Sequence, residues 1–240
     1  MIDIDKKQTM STARSPYLSL DRYVDPKEDF KTIGNCLTKV FNPDSELEAV
    51  DVGCANGELL YYLHQIFPRW RLTGYDCNAD FLETGRQFPG LRDVRLMQAD
   101  YRDIDGSFDV VLSTCFLPLF PEIEAPLEKL LSLCREDGYL LATGLFNPYD
   151  IDVRVQYLDH TTSDSEWVLD FNRHSQHRLR AWLEPRVQSI EFQPCIYDLE
   201  IQPNQQNPAR VWTFRDTIGN SILINGAWQI ANQTLMIIHK

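Results

Sequence analysis

Positive charge is in short supply: 23 Lys and Arg stand against 35 Asp and Glu, giving a formal net charge of -12. Nucleic-acid binding draws mainly on Lys and Arg neutralising phosphates, so the average surface repels such a partner and none is expected. The densest basic stretch, residues 174–180 (HSQHRLR), reads as an ordinary solvated helix face. Paired cysteines are lacking too. The six, at 36, 54, 77, 115, 134 and 195, show no CxxC and no histidine at ligand spacing. That argues against a zinc site or a small disulfide framework, so free thiols and no metal are expected. No apolar run approaches the length that spans a bilayer. Residues 1–10 (MIDIDKKQTM) lack the apolar centre of a signal peptide. The expectation is a cytoplasmic chain with no membrane partner.

What the chain does have is apolar content for a full core, 43% hydrophobic against 24% charged residues over 240 positions, enough for one α/β domain. Residues 1–15 are polar and aperiodic, and an arm is expected over 1–28. Residues 29–41 (DFKTIGNCLTKVF) then place Phe30, Ile33, Leu37, Val40 and Phe41 at helical spacing. From there short apolar runs alternate with helices. Strands are predicted at 49–52, 71–75, 94–98, 108–113 and 139–145; helices at 57–67, 80–88 and 123–135, the last closed by Gly138. Such alternation implies a doubly wound, mostly parallel sheet. Past residue 146 the rhythm changes. Strands are predicted at 153–157 and 167–171 around the polar turn 159–165, then a helix at 176–183 and a strand at 189–199. A hairpin of 211–214 with 221–224 and a last strand at 234–239 follow. With no repeat and no low-complexity linker, these antiparallel β elements read as insertions into a single domain over 29–240.

The first strand runs into Asp51-Val52-Gly53-Cys54-Ala55-Asn56-Gly57, and a helix follows at once. Small residues here let backbone approach a ligand, since a Cβ at Gly53 would occupy ligand space, while the helix start offers free N–H groups. Spacing then separates cofactors. A dinucleotide fingerprint wants G-x-G-x-x-G, and a phosphate loop wants Lys where Glu58 stands. An acidic residue before the loop suits a positively charged ligand.

At this point the sequence resembles the class I S-adenosylmethionine-dependent methyltransferases, over about 48–145. AVDVGCANG matches their D/E-x-G-x-G-x-G with Ala55 for the middle glycine; LTGYD, MQADYRDI and FDVVLSTCFLPLF follow in the family's order. The resemblance implies a Rossmann-like seven-stranded sheet and S-adenosylmethionine as cofactor. It implies that Asp51, Gly53, Ala55 and Gly57 form the cofactor loop and that Asp76, with Cys77 beside it, takes the ribose hydroxyls. Asp100 would accept from the adenine amino group with Tyr101 beside the ring, and Ser113 to Phe116 would border the methionine part and the acceptor. The cofactor core then covers about 46–146, and a β-rich cover or substrate region about 147–232. Asn147-Pro148-Tyr149-Asp150 is similar to an Asn-Pro-Pro-Tyr motif but follows the wrong strand, so it reads as a turn leaving the sheet.

The expected activity is methyl transfer to an oxygen or nitrogen atom of a small-molecule acceptor. Tyr17, Tyr23, Phe116, Phe120, Tyr149 and Trp167 are candidates for an apolar pocket. His160 and His174 are candidates for a general base, with His177 in the same region. The alternative from another class is a catalytically silent S-adenosylmethionine-binding partner subunit; a nucleotide-dependent oxidoreductase is disfavoured by the glycine spacing. Either a monomer or a homodimer is compatible with the sequence.

Overall fold

The computed structural model describes residues 21–158, 160, 167–203, 205 and 210–240. It opens with a one-turn helix, α1 (Asp21–Val24), and a longer one, α2 (Glu28–Val40), whose Phe30, Ile33 and Leu37 are buried as their spacing predicts. Then alternate β1 (Glu48–Val52), α3 (Glu58–Ile66), β2 (Arg71–Asp76), α4 (Ala79–Arg86), β3 (Arg95–Gln98), β4 (Phe108–Thr114), α5 (Glu124–Leu133) and β5 (Cys134–Gly144). After them come β6 (Phe146–Asn147), β7 (Gln156–Leu158), β8 (Trp167–Leu169), β9 (His174–Ser175), α6 (Gln176–Leu183), β10 (Ser189–Pro194), β11 (Trp212–Arg215), β12 (Ser221–Ile224) and β13 (Thr234–His239).

Seven strands form one sheet in the order β10-β13-β5-β4-β1-β2-β3. The five strands β1 to β5 pair in parallel, while β13 runs antiparallel to both β5 and β10. Alternation along each strand divides the core in two. Ala49, Leu112, Leu141 and Leu235 pack with α2, α3 and α4 through Ile33, Leu37, Leu60, Leu63 and Leu82. Val50, Val111, Leu140 and Met236 pack with α5 and α6 through Leu127, Leu130, Leu179 and Leu183. Helices cover both faces, so the sheet is doubly wound. Its order reverses at β1, and the crevice for a ligand lies beyond the carboxyl ends of β1 and β4.

Several boundaries differ from expectation. Helix α5 ends at Leu133, and the left-handed residue after it is Asp137 (φ 60), not Gly138. Gly138 is required for a different reason: a Cβ there would lie 2.9 Å from the Arg135 carbonyl oxygen and 3.0 Å from that of Asp109. Of the strand expected at 153–157, only Gln156 and Tyr157 pair, with β8; Val153 makes an isolated bridge to Arg173. The strand expected to reach 199 stops at Pro194. β7–β8 and β11–β12 are antiparallel as anticipated, whereas β6 and β9 pair in parallel. Residues 1–15, Tyr17 and most of the 159–165 turn lie outside the described residues, and α1 falls within the stretch expected to be arm.

Candidate functional site

Every other residue of the glycine loop takes a left-handed conformation: Gly53 (φ 81), Ala55 (φ 48) and Gly57 (φ 82). Three hydrogen bonds hold that shape. The Gly53 and Cys54 N–H groups both donate to the Tyr75 carbonyl, at 2.8 and 3.0 Å, and the Gly57 N–H donates to Cys54 at 2.9 Å. Asp76 anchors the loop from the next strand, one carboxylate oxygen accepting from the Ala55 N–H at 2.9 Å and the other from Asn78 at 2.8 Å. Gly53 is needed on two counts. Besides its positive φ, an added Cβ would stand 3.1 Å from the Phe116 ring, so the close neighbour is that ring.

Below the loop, Asp51 is 1% exposed, and among the described residues neither of its carboxylate oxygens has a hydrogen-bond partner. Burial, with the charge of Asp76 adding and Lys27 opposing, pushes its pKa up to about 8. A buried carboxylate without a donor is costly, and a cation placed above it would remove that cost. The residues therefore fit a ligand with a positively charged group at the end of β1. Asp76 is also raised by burial, against backbone N–H groups of Asn78, Ala55 and Cys77 that hold it down.

On the other side of the loop lies α1, which sequence reasoning placed in the arm. The Tyr23 hydroxyl donates to the Asn56 carbonyl at 2.7 Å, and its ring stacks on Phe88 with centroids 3.9 Å apart. Arg22 reaches the buried Glu58 carboxylate at 3.5 Å. Glu58, noted from sequence only for its misfit to a phosphate loop, is thus the buried anchor for α1.

At the end of β4, Cys115 (φ 54) turns the chain so that Phe116 faces Gly53. Phe116, Phe120 and Tyr101 form an edge-to-face trio with centroids 4.9 to 5.4 Å apart. Asp100 caps the turn Tyr101–Asp103, and both its oxygens are held by Arg102, through Nε at 2.9 Å and Nη2 at 2.8 Å.

A family model described as "Methyltransferase domain" matches residues 43–183, more than half of the chain. The chain belongs to the class I S-adenosylmethionine-dependent methyltransferases. Its cofactor is S-adenosylmethionine. Among relatives, it is 34% identical over 95 residues to trans-aconitate 2-methyltransferase of Deinococcus radiodurans, covering 39% of this chain and 36% of that one. It is 30% identical over 128 residues to nocamycin O-methyltransferase of Saccharothrix syringae, covering 50% and 46%. The matches thus span less than half the length of these curated relatives. Magnesium protoporphyrin IX methyltransferase of Synechocystis, solved with S-adenosylmethionine, superposes with a TM-score of 0.54 at 16% identity over 89% of this chain and 79% of that one.

Within this methyltransferase the other expected site residues are scattered. Ser113 is fully buried and its hydroxyl donates to the Val52 carbonyl at 3.0 Å, so it ties β4 to β1 and presents no surface to a ligand. Cys77 is exposed, and all six cysteines are free thiols. His160 is exposed in the β7–β8 connection. His174 is 2% exposed, and burial is the main cause holding its pKa below the ordinary value. Tyr149 and Trp167 are 72% and 62% exposed, so neither contributes to a closed pocket. The basic stretch is no free patch: Arg178 pairs with Glu124 and Asp152, and Arg180 donates to the Ile190 carbonyl.

Proposed function

We propose that this methyltransferase moves a methyl group from S-adenosylmethionine to an oxygen or nitrogen atom of a small-molecule acceptor. The observation that carries the reading is Asp51, a fully buried carboxylate with no donor among the described residues, set under a loop of alternating left-handed residues. It suits the ammonium group of the cofactor's methionine part. Loop N–H groups at the start of α3 take the carboxylate of the same part, since helix N-termini favour anions. Asp76, already fixed by Ala55 and Asn78, keeps a lone pair on each oxygen for the ribose hydroxyls. Asp100 takes the adenine amino group if Arg102 yields one of its bonds, and Tyr101 lies beside the ring.

When bound, S-adenosylmethionine supplies a methyl group on a positively charged sulfur. The protein's contribution is to hold the acceptor atom in line with it and to exclude water, and positioning alone lowers such barriers by about 7–11 kcal/mol. The Phe116, Phe120 and Tyr101 trio provides a low-polarity wall where charge disappears as the methyl moves. Small-molecule acceptors are supported by the relatives named above and by the acidic surface. Neither His160 in its exposed connection nor His174 in its buried one has a geometry that favours the general-base role.

Calorimetric titration with S-adenosylhomocysteine, with NADH as control and Asp76→Ala alongside, tests the cofactor assignment. Micromolar binding that is lost in the variant is expected. Absence of binding in the native chain sinks the reading, and binding with no turnover of any acceptor favours a silent partner subunit.

A further inference from the structure

A buried carboxylate has to find its donors and its counter-charge among its neighbours, and those of Asp51 are apolar or already committed. Across the sheet Asp51 pairs with Gly74 on β2 and Leu112 on β4, so the flanking positions carry no polar side chain. Nor is there room for one at Gly74, where a Cβ would stand 2.6 Å from Leu60 Cδ1 of α3 and 2.7 Å from Cys54 Sγ. The Cys54 thiol donates to the Ala55 carbonyl at 3.6 Å. Four loop N–H groups are bonded elsewhere: Gly53 and Cys54 to Tyr75, Ala55 to Asp76, and Gly57 to Cys54.

Counter-charge is equally scarce. Lys27, just ahead of α2, is the one cation among the described residues that opposes the rise at Asp51. It acts on Asp29 and Glu58 as well. Of these three acids, Glu58 has its ion pair with Arg22, and Asp29 accepts from the Phe30 N–H at 3.2 Å. Asp51 has neither kind of contact among the described residues. From β2 the Asp76 charge works against its ionisation. The Cys54 thiol is pushed up by burial, then by the Asp51 charge, and stays neutral. Leu112 of β4 and Leu60 of α3 complete the surroundings without a charge.

A carboxyl group so placed keeps its proton, because an isolated ionised carboxylate in apolar surroundings neutralises instead. Burial and the Asp76 charge hold its pKa at about 8 while the site is empty. An ammonium group set over it reverses the balance, since an opposite charge close by favours the ionised form. Filling the site therefore expels something as well as taking something in.

We propose that Asp51 is protonated in the empty chain and exchanges that proton for the ammonium group of the cofactor, so that capture and release of the cofactor are coupled to pH. This rests on the cofactor's ammonium group lying over Asp51, as set out above, and adds a regulation of that same site. In the exchange the Asp51 O–H bond breaks, its electron pair stays on oxygen and the proton passes to water. The ammonium group keeps its own protons, and no covalent bond to the cofactor forms. Affinity then rises with pH by about tenfold per unit for one proton released, until the carboxyl group of the empty site is itself ionised. Glu58 predicts the opposite sign: an anionic group approaching it would raise its pKa, and binding would take up a proton.

Two ligands that share adenine, ribose and sulfur separate these outcomes. S-adenosylhomocysteine carries the ammonium group, and 5′-methylthioadenosine lacks it. Calorimetry on the full chain from about pH 5.5 to about pH 7.5, in phosphate and in Tris, reads both the affinity and the protons exchanged, because the two buffers differ in ionisation heat. The Kd of S-adenosylhomocysteine is expected to fall about tenfold or more over that range, with close to one proton released. That of 5′-methylthioadenosine should change by about twofold or less. A flat profile for S-adenosylhomocysteine, equal slopes for the two ligands, or proton uptake would overturn the proposal. Carboxyl-carbon NMR of aspartate-labelled chain gives a reading independent of affinity. One signal, identified by its absence in Asp51→Asn, should be protonated at about pH 6 in the empty chain and ionised there once S-adenosylhomocysteine is bound. A signal already ionised in the empty chain overturns the exchange. A chain that binds neither ligand at any pH fails one step earlier, at the methyltransferase function itself, whereas tight binding with flat profiles sinks the exchange alone.

Discussion

Asp51 is the residue on which folding and ligand binding pull in opposite directions. Its pKa is raised from 3.8 to about 8, so the folded chain disfavours the carboxylate, and the stability lost on ionising it grows as pH rises from about 4 to about 8. Asp51→Asn should therefore stabilise the ligand-free chain at pH 8 by about 2 kcal/mol or more, a Tm rise of about 4–8 °C at this chain length, with little effect at pH 4. Calorimetric melts at the two pH values check it. The same variant should lose S-adenosylhomocysteine binding. At Asp100 the question is which partner wins. Asp100→Asn is expected to weaken S-adenosylhomocysteine about tenfold, whereas Arg102→Ala, which releases the carboxylate, should not weaken it; equal losses in both would show the pair acting only as a turn cap. Sequence alone singled out Asp51, Gly53, Asp76 and Asp100 as candidates, because a strand end followed by small residues has few other uses, and the structure sets Asp51, Gly53 and Asp76 around one loop. It could not assign Glu58, whose role as the buried partner of Arg22 emerges only once α1 is in place.

Among the elements, α1 is the least anticipated and the most consequential for the loop. A four-residue helix has no periodicity to read, so only the Tyr23 and Arg22 contacts reveal it. Tyr23→Phe deletes the hydrogen bond to Asn56, and the expected loss is about 1 kcal/mol in stability with a several-fold drop in cofactor affinity; unchanged affinity would mean that α1 packs on the loop without shaping it. By contrast β1 to β4 and α3 to α5 were legible to within a few residues, since β1 and β4 are runs buried on both faces and the helices carry one apolar stripe; β5 starts at Cys134, ahead of the strand expected from 139. The cover was read less well. Its strands are two to four residues long and, apart from the buried β9, partly exposed, too short for alternation to fix their ends, although the bend at 147–150 does leave the sheet as expected.

At the scale of the whole molecule, the residues proposed to hold the cofactor come from both halves of the parallel sheet, so binding should register as global stability. Saturation with S-adenosylhomocysteine at 100 times its Kd should add about 2.7 kcal/mol, or about 5–10 °C in Tm, in a single transition. Two transitions would mean that the cover unfolds apart from the cofactor core. Among the described residues no helix is long and apolar enough to cross a membrane.

The strand order also fixes an order in time. β10 pairs with β13 alone, and β13 is held between β10 and β5, so the earlier strand has no place to dock until the later one has arrived. Long-range pairings of this kind form slowly. Amide exchange on β10 should be at least as fast as on β13, because β10 can leave the edge alone while release of β13 frees both, and refolding should recover the parallel strands first, with the β10–β13 edge closing last.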